Sequence, residues 1–447
     1  MKKKLLFSLA LVCTLGFFSS CSDDDEKFIF GSVPVSFSGE KLELSYSGAA
    51  MPGKEVIFST ADGKIGQLEM KGKFDIKEIV DAMGGKTQGK DLELGDLDGL
   101  IQIAKNLQVP GVVPGEVSTI IKNIPLTVTA DNKYTFSGVD SQNGRSFSFD
   151  GTVEIDPKAN ATVGTAGTEK MVLKLTEVQM PANTMLGKWN LPKYGWNAEL
   201  KNYEGPIHVA WEAKDSIEIE LFPGVPPMVF PPQALLGLAL QIPLLGDVNM
   251  YDALSSVLNE VELKKDGNVI AQYKAKEALK DPNAQWMTSP MNIAHYAAKN
   301  DSVLHLYLNP SAIIANVKTK GAEFGMPTEV IMQVVKDLLP MLSTGFTLKY
   351  RHLDIKVKGK NEAGEPVENI VKRTIVCADL EILAPLLKAL TPMLENDKLI
   401  AQLVEEIKKN PEMAAVAPMV EGVLKQLPAV LKSTNRLELG LYLAKAN

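Results

Sequence analysis

The sequence predicts a mainly β chain with inserted helices, an α+β arrangement of two antiparallel barrel or half-barrel domains. Three observations predict it. Apolar residues alternate with polar ones over short runs, the period of a strand with one buried face. Gly, Pro, Asn and Asp punctuate those runs at intervals that suit tight turns. The strand-like runs are interrupted by segments whose apolar residues recur at helical spacing. With 447 residues the chain is also too long for one ordinary core, so two domains are expected.

In the first half, Leu42, Leu44 and Tyr46 alternate with polar residues, as do Val56 with Phe58 and Leu68 with Met70. Met51-Pro52-Gly53 and Asp62-Gly63 read as turns. Helical spacing follows at Ile76, Ile79, Val80 and Met83, stopped by Gly84-Gly85, and again at Leu97, Leu100, Ile101, Ala104 and Leu107. Glu116 to Ile124 reads as a short helix running almost directly into a strand at Leu126-Thr127-Val128. Asp131-Asn132 is a hairpin turn, and Tyr134–Val139, Arg145–Ile155 and Met171–Val178 supply further strands. Pro157 to Gly167 is a polar loop.

The later chain matches part of this unit. Leu254 to Leu263 follows Val117 to Leu126 position by position in character, and Asp266-Gly267-Asn268 stands near the place of Asp131-Asn132. Two homologous domains, each with a helix directly before a hairpin, are the expectation. Strands are expected around Ile207–Trp211, Ser216–Leu221, Val269–Lys274, Ile293–Ala297 and Val303–Leu308, and helices at Ser311–Val317 and Thr328–Leu342. Phe346–Lys358 and Val367–Cys377 form a long hairpin, Leu380–Leu431 is helical but interrupted by Pro385, Pro392, Pro411, Pro418 and Pro428, and Leu437–Leu443 is the last strand.

The N-terminus specifies a compartment. Lys2, Lys3 and Lys4 precede an apolar run from Leu5 to Phe18, too short to span a bilayer and ending in small residues, as in a secretory signal. Ser19-Ser20 before Cys21 resembles the lipobox of bacterial lipoproteins, with Phe18 where that pattern prefers Leu, as in the relaxed lipoboxes of Bacteroidetes. The resemblance implies cleavage before Cys21, acylation of its sulfur (palmitate among the chains) and anchoring in the outer membrane. Several acyl chains hold far more firmly than one, at about 0.8 kcal/mol per buried CH₂. The acidic run Ser22 to Glu26 is an extended spacer and also resembles the signal that sends such lipoproteins to the cell surface. The expected organisation is a signal peptide at 1–20, a lipidated Cys with acidic tether at 21–33, a first β-rich domain at 34–181 and a second at 182–447.

Leu186-Gly187-Lys188-Trp189 resembles the Gly-x-Trp start of lipocalin and calycin-like barrels. That implies a barrel with Trp189 as its plug and an interior able to hold a ligand. A curved sheet wrapped around helices, as in tubular lipid-binding proteins, accounts for the pattern equally well.

Leu221 to Gly246 carries no Asp, Glu, Lys or Arg, and its prolines leave only Gln233 to Ile242 as a helix, about half a bilayer's requirement. Phe230, Leu235, Leu236, Leu238, Leu240 and Ile242 are the candidates for an apolar pocket or its lid, with core packing as the plain reading. Asp215-Ser216-Ile217 and Asp301-Ser302-Val303 resemble Bacteroidetes O-glycosylation sites at Ser216 and Ser302. Their plain reading is two turns. Asp91, Glu93, Asp96 and Asp98 fit no calcium loop and read as a solvated face. His208, His295, His305 and His352 lack metal-ligand spacing, although His295 and His305 are placed to face each other across a hairpin. Cys377 has no partner for an internal disulfide and reads as a buried thiol near a strand end.

No hydrolase elbow, P-loop, metalloprotease or dinucleotide motif is present, so no catalytic residue, metal or cofactor is expected. A net charge of −7 with no basic patch argues against nucleic acid. Three functions stay open: a non-enzymatic lipid-anchored binder of an apolar small molecule, a structural module that meets another envelope protein, and an unrecognised hydrolase.

Overall fold

The computed structural model describes residues 34–73, 109–130, 132–155, 169–198, 200, 202–219, 226–241, 248–274, 283–309, 345–360, 366–409, 414 and 417–446. The signal, Cys21 and the tether lie outside the described residues. So do the helices expected at 76–107, 311–317 and 328–342, the acidic cluster 91–98, the 157–167 loop, and Ile242.

The described chain is mainly β. Nine strands form the first sheet: β1 (Val35–Ser38), β2 (Leu42–Tyr46), β3 (Ala49–Ala50), β4 (Lys54–Thr60), β5 (Ile65–Gly72), β6 (Ser118–Ala130), β7 (Lys133–Gln142), β8 (Arg145–Glu154) and β9 (Lys170–Gln179). Their order is β1-β4-β5-β6-β7-β8-β9-β2-β3, and β2 runs parallel to β9 while the other pairs are antiparallel. Strands β1 and β2 lie toward opposite ends of this order, yet only Gly39–Lys41 joins them. Three residues span roughly 10 Å at full extension. The sheet therefore curls into a half-barrel that brings its two ends close together. Alternate side chains of the longer strands fill the inside, among them Phe37, Tyr46, Phe58, Leu68, Met70, Phe147, Leu173 and Leu175, all almost fully buried.

Glu116 to Ile124 is not a helix. Apart from its first two residues it belongs to β6, so the helix-before-hairpin unit does not exist in the first half. The misleading signal has a local cause. Thr119 and Ile121 face the core at strand spacing; then pairing with β5 shifts between Gly66 and Leu68, and Ile124 faces inward too. Asn123, at φ 57, occupies this irregularity. The extra residue changes the two-residue period to a spacing of three, which mimics a helix.

The second sheet uses β10 (Gly187–Asn190), β13 (Ile207–Ala213), β16 (Leu258–Leu263), β17 (Val269–Tyr273), β18 (Met287–Thr288), β19 (Ala294–Asn300), β20 (Val303–Leu308), β21 (Phe346–Lys360), β22 (Pro366–Asp379) and β23 (Thr434–Lys445). Two small hairpins, β11 (Gly195–Asn197) with β12 (Asn202–Glu204) and β14 (Ile217–Ile219) with β15 (Met228–Phe230), flank it. The order is β18-β17-β16-β10-β23-β22-β21-β20-β19, with β13 also on β23. Strand β23 is central, with β22 along one side and β13 and β10 along the other. The edge strand β19 bends back to the β16–β17 turn through an Asn268–His295 bridge. The expected long hairpin is present as β21 and β22.

Five described helices complete the chain: α1 (Pro232–Ala239), α2 (Met250–Val257), α3 (Leu380–Leu394), α4 (Asp397–Lys409) and α5 (Ala417–Lys432). Helix α2 does lead directly into β16, as expected for the second half. Asn249 caps it by accepting from the Asp252 amide at 2.9 Å. Among the described residues, no helix is long and apolar enough to cross a membrane.

Candidate functional site

Three places concentrate unusual side chains. The first is the apolar segment of β15 and α1. Pro231 starts the helix without a side-chain cap, and the helix carries no charge. Phe230, Leu235 and Leu236 pack into a core made with Trp211, Ile217, Val430 and Leu437, walled by Leu383, Leu387, Met419, Val423 and Leu427 of α3 and α5. Leu238 points away, half exposed, and Leu240 is partly buried just past the helix end. Thus Phe230, Leu235 and Leu236 are brought together, and Leu238 is not. Among the described residues, five in this core are buried and eleven are only partly so; in the first sheet's core 22 are buried and four partly buried.

The second place is the junction between the sheets, which sequence reasoning missed. The Tyr46 hydroxyl donates to the Asp266 carbonyl at 2.6 Å, and burial pushes that hydroxyl's pKa well up. Asn292 donates its amide hydrogens to the carbonyls of Tyr46, Ala49 and Ala50, at 3.1, 3.0 and 3.2 Å. That fixes Asn292 Oδ1 as an acceptor, 3.2 Å from His295 Nε2. The imidazole must therefore donate from Nε2, which leaves Nδ1 as its acceptor. Burial, reinforced by Lys54 nearby, pulls the His295 pKa down to about 3, so the ring is neutral. Asn268 Oδ1 accepts from the Asn292 amide at 2.8 Å, while its own Nδ2 is the one buried side-chain polar atom without a partner among the described residues.

Lys54 stands beside this cluster. Residues 109–113 form a buried loop whose carbonyls need donors, and Lys54 Nζ donates to Pro110 O at 2.8 Å and Gly111 O at 2.9 Å. The side chain keeps partial surface exposure, but its ammonium sits deep, and desolvation lowers its pKa to about 8. A narrow cleft lined by Lys54, Met51, Pro114, Asn292, His295 and Tyr307 opens here, with about 20 Å³ of space for water-sized centres. That is room for one or two waters and too little for an acyl chain.

The third place is the face of the second sheet around Gly440. His208 on β13 and Cys377 on β22 both pair with Gly440, whose missing side chain lets them approach. A Cβ at 440 would fall 2.6 Å from that of Cys377. His208 Nε2, Cys377 Sγ and a Glu438 oxygen all lie within 4.8 Å of one another. The distances look suited to a cation or a thiol nucleophile, but the chemistry does not. Nε2 lies 2.9 Å from Glu438 Oε2 and donates to it, while Nδ1 accepts from Tyr442 O–H at 3.2 Å. Arg351 already holds the same carboxylate oxygen at 2.8 Å, and Arg436 takes the other at 3.0 Å. Burial alone raises the pKa of Glu438, yet the hydrogen bonds from His208, Arg351 and Arg436 win and bring it to about 2. Burial lowers the pKa of His208 and raises that of the Cys377 thiol, which is 1% exposed. A protonated thiol beside an imidazole committed at both nitrogens is not activated.

The other expectations resolve singly. Trp189 is buried on β10, donates Nε1–H to Met185 O at 2.7 Å and stacks on His352 with centroids 6.1 Å apart. His295 and His305 do not face each other: His295 pairs with Tyr307 and His305 with Ala297, two residues out of register. Ser216 and Ser302 are exposed in turns, and Ser302 hydrogen-bonds Asn300. No protein-family model, curated protein or solved structure matches this chain.

Proposed function

We propose that this chain is a lipid-anchored protein of the outer cell envelope, not an enzyme, that binds an apolar small molecule in the core beneath α1. The observation that carries the reading is the packing of that core. It is ringed by eleven half-buried apolar residues and capped by a short, charge-free, side-chain-uncapped helix. Leu and Met walls with few polar groups are the usual lining of a lipid-type site. A ligand adding to this core would bury surface that the protein leaves partly wet, at roughly 25 cal/mol per Å². The compartment rests on the sequence, where Ser19-Ser20-Cys21 and the acidic tether supply the anchor and the surface address. The curled first sheet and the buried Trp189 on β10 support the calycin-like reading of the fold.

Native mass spectrometry of protein purified without added lipid, followed by organic extraction, tests this. A stoichiometric apolar adduct is expected, and Leu236→Asp should abolish it while the circular dichroism of the sheets is unchanged. A bare polypeptide mass after incubation with envelope lipids would sink the reading.

A further inference from the structure

The junction cleft lies outside the α1 core, and nothing in the apolar-ligand reading uses it. We propose that it binds the carboxylate head of a small organic acid, with Lys54 Nζ as the cation and the Tyr307 hydroxyl as a second donor.

Two features of the cleft lead there. A Lys ammonium has three hydrogens to donate. Lys54 spends two on the neutral carbonyls of Pro110 and Gly111, and among the described residues no carboxylate oxygen lies within 4.0 Å of it. A buried cation without a counter-charge is costly, and an incoming anion relieves that cost. Tyr307 lines the same cleft, and among the described residues its hydroxyl makes no hydrogen bond. Opposite them, Asn292 and His295 cannot supply a competing charge, since the amide is fixed by three carbonyls and the ring is neutral.

Size and charge narrow the ligand class. Space for one or two waters admits a planar carboxylate but no ring. A single ammonium balances one negative charge, so a monoanion fits better than phosphate. Met51 and Pro114 offer apolar contact to the short chain behind the head.

Binding requires the protonated amine, whose pKa in the empty cleft is about 8. The ligand favours the charged form, so affinity is flat below pH 8 and falls toward tenfold per pH unit above it. The neighbouring titratable groups do not mimic this. His295 stays neutral throughout, and burial holds the Tyr307 hydroxyl protonated.

The test is a titration of the full-length protein with acetate, read by chemical-shift perturbation at pH 7 and again about two units higher. Saturable shifts near the cleft are expected at pH 7, at least tenfold weaker at the higher pH, lost in Lys54→Met and weakened several-fold in Tyr307→Phe. Absence of saturation, indifference to pH, or unchanged binding in Lys54→Met overturns the proposal. If Lys54→Met does not fold, Tyr307→Phe and the pH dependence of the unaltered protein decide it. Inorganic phosphate is the counter-probe, and tighter binding than acetate would overturn the monoanion assignment.

Discussion

The core inside the first sheet and the core under α1 are both apolar, but they are sealed differently. In the first, strands on a curled sheet alternate inward and outward, so each inward side chain is walled by neighbours on both sides, and 22 residues are buried. In the second, helices α3 and α5 lie on one end of the second sheet and α1 covers part of what remains. A helix presents only a stripe, so residues at its margins stay half wet. A curled sheet covers its apolar surface with its own strands. Helices on an open sheet leave some of theirs partly exposed.

The largest effect is expected where the sealed core meets the second sheet. The His295 pKa is about 3 in the fold and about 6.5 in the unfolded chain, so the unfolded chain takes up the proton first. The stability this contributes is complete above about pH 6.5 and is lost as pH falls toward 3, up to about 5 kcal/mol by linkage. Urea unfolding across that range should show the slope, and His295→Gln should flatten it. Lys54 runs in the same direction but higher, its penalty being relieved only as pH rises from about 8 toward 10.5.

The second test sets the cores side by side. Leu173→Ala, at a fully buried site, should cost about 3–5 kcal/mol, whereas Leu427→Ala on α5 should cost about 1 kcal/mol. Equal losses in thermal or urea unfolding would remove the distinction. The third concerns the charge network. Glu438→Gln should cost about 1–2 kcal/mol, because Arg351 and Arg436 are partly exposed and water replaces much of the lost pairing. The same change should bring the His208 titration, followed by NMR, further down, since the Glu438 bond is what supports its charged form. The smallest effect is chemical. Cys377, buried and with a raised pKa, should resist alkylation at pH 8 in the folded protein and react at once when unfolded.

Much of the fold was legible because the signals are local. The β21–β22 hairpin, the helical C-terminal tail, α2 leading into β16 and the last strand all follow from periodicity and turn chemistry within one segment, although Pro385, Pro392 and Pro428 lie inside α3 and α5 and do not interrupt them. What failed, or was silent, depended on distant partners. The irregularity at Asn123 gave a strand the apolar spacing of a helix. The parallel pairing of β2 with β9 brings together residues more than a hundred positions apart, and no local pattern encodes it. The junction site was invisible for the same reason. Lys54 reads as an ordinary strand lysine until Pro110, Gly111, Asn292 and His295 are placed around it. The apolar stretch around Leu235 and Leu236 was visible because its composition is unusual in itself.

The central position of β23 also sets a timetable. Strands β10, β13 and β22 all hydrogen-bond to it, and it is the last described strand to leave the ribosome. Until residues 434–445 arrive, β10 and β13 have no strand on that side and β22 exposes an edge. The first sheet is complete once β9 has emerged, some 250 residues earlier by chain position. The two sheets therefore differ in their exposure to misfolding during synthesis. The early one completes its pairing first, and the late one must be kept from premature edge-to-edge pairing until residues 434–445 arrive.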